Sequence, residues 1–173
     1  PGSARPSQTH LLGRLAECVA TALIIACRLP SPPHVPARLP TDTEPFVHPV
    51  RVYWEDTDAG GVVFYANYLR YFERARTEWL RSLGVQQQAL REATGAMFVV
   101  TDAALRYRLP ARLDDALAIT VVVREWRPAS MRISQQARRG PDLLCEGDIR
   151  IGCVEAASLR PCRIPSDISA LFS

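Results

Sequence analysis

One helical stretch followed by four strands constrains the fold of this chain more than any other feature. From Tyr65 to Leu83 apolar side chains return every three or four residues, at Tyr68, Tyr71, Phe72, Ala75, Trp79 and Leu83. That spacing lines them along one stripe of an α-helix, with Arg70, Arg74, Glu78 and Arg81 on the other faces. Gly84 supplies a helix stop, and Gln86–Ala93 reads as a second, shorter helix. Beyond it the pattern becomes strand-like over Met97–Leu109, Leu117–Trp126, Met131–Ala137 and Leu143–Val154. The second of these carries the β-branched run Ile119, Thr120, Val121, Val122 and Val123. The gaps between strands are turn-length and hold signals such as Gly140-Pro141. Phe46–Trp54 reads as a strand ahead of the long helix, and Pro165–Phe172 as a short closing helix. This order predicts an α+β fold: an antiparallel sheet with one long helix packed on a single face.

Residues 1–45 follow a different pattern. They hold eight of the 14 prolines, at positions 1, 6, 30, 32, 33, 36, 40 and 45. The apolar stretch Val19–Cys27 inside Leu11–Leu29 is too short to span a bilayer. It resembles a secretory h-region after Arg5 and Arg14, although Glu17 fits that poorly. Residues 30–45 read as an extended linker. The expectation is a Pro-rich extension over 1–45, disordered or outside the fold, and a domain over 46–173.

Composition excludes some classes of function. A net charge of +3 with no basic run gives no argument for nucleic acid as a partner. All 21 basic residues are Arg, whose planar fork suits phosphate oxygens. The five cysteines, Cys18, Cys27, Cys145, Cys153 and Cys162, are odd in number and show no C-x-x-C spacing. A zinc site and a full disulfide framework are therefore not expected, and a reducing cytoplasm fits. Cys145 and Cys153 fall in a strand-like segment, where a free Cys packs as a small core residue.

The chemistry-bearing segment is "YWEDTDAGGVVFY", residues 53–65, with Glu55, Asp56 and Asp58 ahead of Gly60 and Gly61. Three explanations compete. In a calcium-loop register, Asp56, Asp58 and Gly61 take positions one, three and six, but position twelve is Asn67 instead of Glu. Val62, Val63 and Phe64 offer no ligating side chains, so metal is not expected. Alternatively the acids cap and solvate a turn before the helix. The third explanation is catalysis. A carboxylate near a helix start faces backbone N–H donors and the positive end of the dipole. A carbonyl between them would meet a nucleophile or base on one side and an oxyanion donor on the other. The glycines would let the backbone approach a ligand.

The run "VRVYWEDTDAGGVVFYANYLRYFERARTEWLRSLGV", residues 50–85, closely resembles the acyl-CoA thioesterases associated with the Tol-Pal system. These are hotdog-fold proteins related to 4-hydroxybenzoyl-CoA thioesterase. The likeness continues through "FVV" (98–100), "ARLDD" (111–115) and "EWRPAS" (125–130), and covers roughly residues 46–172. It implies a hotdog fold, a long helix wrapped by a curved antiparallel sheet. The activity it implies is hydrolysis of an acyl-CoA to free acid and CoA, without metal and with no cofactor beyond the coenzyme A of the substrate. It further implies homodimers joined through a continuous sheet and commonly paired into tetramers, with active sites at subunit interfaces. The family's catalytic aspartate falls on Asp58, as nucleophile or general base. The backbone N–H that polarises the thioester carbonyl falls on Tyr65. Gly60 and Gly61 would lie against substrate, and Arg127 and Ser130 match positions that contact the CoA nucleotide.

The chain departs from that pattern at Tyr65. The Tol-Pal-associated members usually carry His there ("VVYH" against "VVFY"), and the benzoyl-type relatives carry Tyr. The resemblance therefore leaves two acyl classes, short-chain aliphatic and aromatic. It also leaves acyl carrier protein and inner-membrane-associated partners as candidates, with a cytoplasmic location that could include the membrane periphery. Among other residues, Glu73 is a backup carboxylate whose plainer role is a salt bridge with Arg76 or Arg70. Asp56 is expected to orient the turn, Asn67 to hydrogen-bond locally, Trp79 to sit in the core, and His48 to lie outside the site. The competing reading is a non-catalytic acyl-CoA or acyl-carrier-protein binding module of envelope or phospholipid metabolism. An intact Asp58 and Gly60-Gly61 favour the enzyme. A hydratase would want a His near the acidic loop, and Asp56–Asn67 contains none.

Overall fold

The computed structural model describes residues 44–172. The expectations for Leu11–Leu29 and for the Pro-rich stretch up to residue 43 lie outside the described residues. The chain forms β1 (Phe46–Arg51), α1 (Asn67–Ser82), α2 (Gln87–Thr94), β2 (Ala96–Tyr107), β3 (Ala116–Arg127), β4 (Ser130–Arg139), β5 (Asp142–Glu155) and α3 (Ser166–Ser169). Single 3-10 turns, Trp54–Asp56 and Ala170–Phe172, follow β1 and α3. No helix among the described residues is long and apolar enough to cross a membrane.

The strands pair antiparallel in the order β1-β3-β4-β5-β2. Alternation decides which face is buried. Leu117, Ile119 and Val121 of β3, Met131, Ile133 and Ala137 of β4, and Cys145, Ile149, Ile151 and Cys153 of β5 all point to the core. Register shifts between Val100 and Asp102 and between Val123 and Glu125 mark bulges, which bend strands. The sheet curves around α1, and the result is the hotdog arrangement that the resemblance implied.

Helix α1 meets the sheet through the predicted stripe: Tyr68, Tyr71, Phe72, Ala75 and Trp79 are buried, with Leu80 beside them. The approach is close at Gly147 of β5, where a Cβ would stand 2.7 Å from a Phe72 ring carbon. The missing side chain is therefore what lets the ring lie on the strand. One polar network crosses the same interface. Arg76 Nη1 donates to Gln135 Oε1 at 2.7 Å, Gln135 Nε2 donates to the Phe72 carbonyl at 3.1 Å, and Arg76 pairs with Glu73. Burial lowers the Arg76 pKa and Glu73 works against that shift. The C-terminal segment closes over the other end of α1, where Phe172 stacks on Trp126 at 4.3 Å and tilts against Trp79 at 5.6 Å.

On either side of the acidic turn the element boundaries differ from the sequence expectation. Strand β1 stops at Arg51, and Trp54 is in a 3-10 turn with 79% exposure. The cause is Asp56, whose Oδ2 accepts the Tyr53 N–H at 2.8 Å and curls the chain back. Helix α1 begins at Asn67, and Tyr65 and Ala66 form the turn that enters it.

Candidate active site

The acidic turn is a small closed unit at one end of the sheet. Val52 anchors it: its N–H donates to the Asp115 carbonyl at 3.0 Å, and its own carbonyl accepts the Asp114 N–H at 3.1 Å. The chain then reverses, with Thr57 bridged to Val63. Inside that bridge the Asp58 N–H donates to the Val62 carbonyl at 2.9 Å, and the Gly61 N–H donates to the Asp58 carbonyl at 3.0 Å. Gly61 has φ of +70°, the left-handed region in which a Cβ is strained. The Gly60 N–H donates to Asp58 Oδ1 at 2.8 Å, and a Cβ on Gly60 would stand 3.0 Å from that oxygen. Both glycines thus shape the turn that presents Asp58.

The three acids are not equivalent. Asp58 is exposed, and among the described residues its carboxylate takes one hydrogen bond, from Gly60. Glu55 is exposed as well. Asp56 is 3% exposed and structural. Its carboxylate holds the Tyr53 N–H, and its carbonyl accepts both the Phe64 N–H and Asn67 Nδ2, each at 2.9 Å. Beneath it lies the Tyr71 hydroxyl, buried and without a hydrogen bond of ordinary geometry. Burial raises the Tyr71 pKa, and the nearby Asp56 charge adds to the shift.

The peptide entering α1 has a fixed aim. A trans peptide points its C=O and N–H in opposite directions, and the described residues contain no cis bond. The Phe64 carbonyl accepts the Asn67 N–H at 2.8 Å, so the Tyr65 N–H points back out of the helix start. It donates to none of the described residues. The Tyr65 carbonyl accepts the Tyr107 hydroxyl at 3.1 Å, which ties the helix start to the end of β2. Tyr107 reads as an ordinary strand residue in the sequence. Its long separation from Tyr65 hides the contact, and only the β2 register reveals it.

Asp58, Gly60, Gly61 and Tyr65 thus lie together on one loop. Arg127 and Ser130 do not join them within one chain. They face each other across the β3–β4 hairpin, and Arg127 Nε donates to Glu125 Oε1 at 2.7 Å. The β3 start at Ala116 pairs with Arg51 beside the acidic turn. Arg127 lies at the other end of that strand, roughly 35 Å away at the rise of an extended chain. Glu73 is paired with Arg76, Asn67 bonds locally, Trp79 is buried, and His48 sits on β1 opposite Ile119. Among the described residues no three His, Cys, Asp or Glu side chains group as metal ligands.

The family model described as "Thioesterase-like superfamily" matches residues 52–172. The chain is 42% identical over 127 residues to the acyl-CoA thioesterase YbgC of Haemophilus influenzae, covering 73% of this chain and 93% of that protein. It is also 42% identical over 132 residues to the acyl-CoA thioester hydrolase YbgC of Escherichia coli O157:H7, covering 76% and 98%. Among solved structures, the probable thioesterase from Bartonella henselae superposes with a TM-score of 0.68 at 30% identity, covering 70% of this chain and all of that one.

Proposed function

The chain belongs to the thioesterase-like superfamily as an acyl-CoA thioester hydrolase, and we propose that Asp58 is its reacting carboxylate and the Tyr65 N–H its oxyanion donor. The observation that carries this is the pairing of two groups on one loop. One is an exposed carboxylate held by a single hydrogen bond among the described residues, and the other is an outward N–H with no partner among them, at the start of a 16-residue helix. The thioester carbonyl oxygen would accept the Tyr65 N–H, aided by the positive end of the helix dipole. Asp58 then acts in one of two ways. As nucleophile it adds to the carbonyl carbon, the C–S bond breaks, CoA leaves as thiolate, and water cleaves the resulting anhydride. As base it takes a proton from the water that attacks the same carbon, the C–S bond breaks, and CoA leaves as thiol with that proton while the free acid is released. No metal enters either route.

The exposed rings of Phe64 and Tyr65, with centroids 4.5 Å apart, would form an aromatic wall for a short-chain or aromatic acyl group. The unit that does this chemistry is residues 46–173, with 1–45 outside it. Among the described residues strand β2 is hydrogen-bonded on one side only, to β5. A second copy pairing there would make a homodimer with a continuous sheet, and two such dimers a tetramer. The end-to-end separation of Arg127 and Ser130 from Asp58 fits a CoA nucleotide held by another copy. Thiol release from aliphatic and aromatic acyl-CoA panels tests the assignment. The wild type should release CoA from at least one class, and Asp58→Asn should lose most of that turnover while staying folded. Near wild-type turnover by Asp58→Asn would remove Asp58 from the mechanism.

A further inference from the structure

Two thiols face each other at the end of β5, away from the acidic turn and outside the hydrolytic chemistry. The sulfurs of Cys153 and Cys162 stand 3.5 Å apart. Their backbones hold them there. Val154 bridges Pro161 in antiparallel fashion, which sets Cys153 opposite Cys162, and the Cys162 N–H donates to the Cys153 carbonyl at 3.0 Å. The Cys153 N–H donates away from Cys162, to the Ala129 carbonyl at 2.9 Å. Residues directly opposite each other on antiparallel segments have Cα atoms about 4.5–5.5 Å apart, inside the span that a disulfide bridges. The sulfurs need only turn toward each other.

The two thiols differ in access. Cys153 is buried, and burial together with the Cys162 thiol pushes its pKa up to about 12. Cys162 is half-buried and lines an open cleft of about 380 Å³ with Arg160, Arg163, Glu155 and Gly95. One thiol is thus reachable from solvent and the other waits behind it, the arrangement of an attacked cysteine and its resolving partner.

We propose that Cys153 and Cys162 form a reversible oxidation site, closed as a disulfide by peroxide. Cys162 attacks the peroxide, its sulfur is oxidised to sulfenic acid, and the O–O bond breaks with release of one water. The Cys153 thiol then attacks that sulfur, forming the S–S bond and releasing the hydroxyl and the thiol proton as a second water. A dithiol reductant reverses the change. The bond would staple the C-terminal segment to β5. That segment is already docked by the Ile164 N–H on the Pro128 carbonyl at 2.8 Å and by Phe172 on Trp126.

The test uses the reduced full chain treated with graded hydrogen peroxide, followed by peptide mapping and thermal denaturation. The expected result is a Cys153–Cys162 cross-link with loss of two hydrogens per chain, reversed by dithiothreitol. The melting temperature of the oxidised form should rise by about 5 °C. Cys162→Ser should show neither the link nor the rise. Recovery of Cys162 only as sulfinic or sulfonic acid would overturn the proposal. So would its linkage to Cys18, Cys27, Cys145 or another chain. The wild-type map decides this alone, so a variant that fails to fold does not blunt the test.

Discussion

The side-chain amide of Asn67 donates to the Asp56 carbonyl at 2.9 Å, and the Asn67 N–H donates to the Phe64 carbonyl at 2.8 Å. A single residue at the first position of α1 therefore fixes both the acidic turn and the peptide that aims the Tyr65 N–H. Asn67→Ala removes the side-chain link and leaves the Phe64 N–H on the Asp56 carbonyl. The expected loss is one buried hydrogen bond and a small void, about 1–2 kcal/mol of stability. Alanine keeps the backbone bond that aims the Tyr65 N–H but loses the tie between the acidic turn and the helix start. If Asp58 and the Tyr65 N–H act together as proposed, their mutual placement loosens, and kcat should fall several-fold while KM changes little. Steady-state thiol release with a melting curve checks this. A variant with lowered melting temperature and unchanged kcat would show Asn67 to be structural only.

Tyr71 makes a prediction about alkaline stability. Its phenol is buried, and burial followed by the Asp56 charge raises its pKa above the usual value of 10.0. The unfolded chain releases this proton near pH 10, whereas the folded chain holds it longer. Stability is therefore unaffected by this group below about pH 10 and falls as pH rises from there toward the folded pKa. Tyr71→Phe should flatten part of that loss. Tyr68, Tyr107, Cys145 and Cys153, also raised by burial, contribute to the remainder. At pH 7 the substitution should change stability by no more than about 0.5 kcal/mol, since the hydroxyl makes no hydrogen bond of ordinary geometry and only a weak contact with Asp56 is lost. Urea melts at pH 7 and above pH 10 separate these effects. A large loss at pH 7 would show that the hydroxyl is bonded, to Asp56.

Much of this architecture is legible in the sequence because two periods do not overlap. The stripe from Tyr68 to Trp79 reads only as a helix, and the gaps at Pro128-Ala129 and Gly140-Pro141 are too short for anything but hairpins. The acidic turn stands out in the sequence as a candidate site, and the assignment of Asp58 within it rests on resemblance. Composition alone treats Glu55, Asp56 and Asp58 alike; burial sets Asp56 apart, and the Gly60 N–H on its carboxylate sets Asp58 apart from the equally exposed Glu55. Contacts between distant segments were not legible. Tyr107 on Tyr65, Arg76 on Gln135 and Cys153 beside Cys162 depend on strand register and on how the chain returns, and no local pattern encodes either. The β1 boundary was missed because a side chain two residues past the predicted strand end captures the Tyr53 N–H.

Gly147 tests the helix–sheet contact. A Cβ there would lie 2.7 Å from the Phe72 ring, and Phe72 is fully buried with little room to retreat. Gly147→Ala should cost about 1–3 kcal/mol through overpacking. Pairing it with Phe72→Leu, which removes the clashing ring edge, should cost less than the two single changes added together. Denaturant melts of the four proteins give that coupling directly, and strict additivity would mean that the strand, and not the ring, absorbs the added methyl.

The last prediction separates the acids of the turn by two readouts. Asp58 is exposed and its one hydrogen bond, from the Gly60 N–H, can be accepted equally by an Asn side-chain carbonyl. Asp58→Asn should therefore stay within about 0.5 kcal/mol of wild-type stability. Its turnover should fall by about 10²–10⁴-fold, the usual worth of a general base and a lower bound if Asp58 is the nucleophile. Asp56→Ala should behave in the opposite way. It strips the Tyr53 N–H of its acceptor and opens a buried site, so about 1–3 kcal/mol should be lost. Activity should follow the folded fraction, with a further several-fold drop from the loosened Phe64 and Asn67 contacts. Glu55→Gln should be near neutral by both measures, since the side chain is exposed. Melting curves and thiol release on the three variants together decide the matter. If Asp56→Ala abolished turnover in a well-folded protein while Asp58→Asn kept it, the reacting carboxylate would be the buried one.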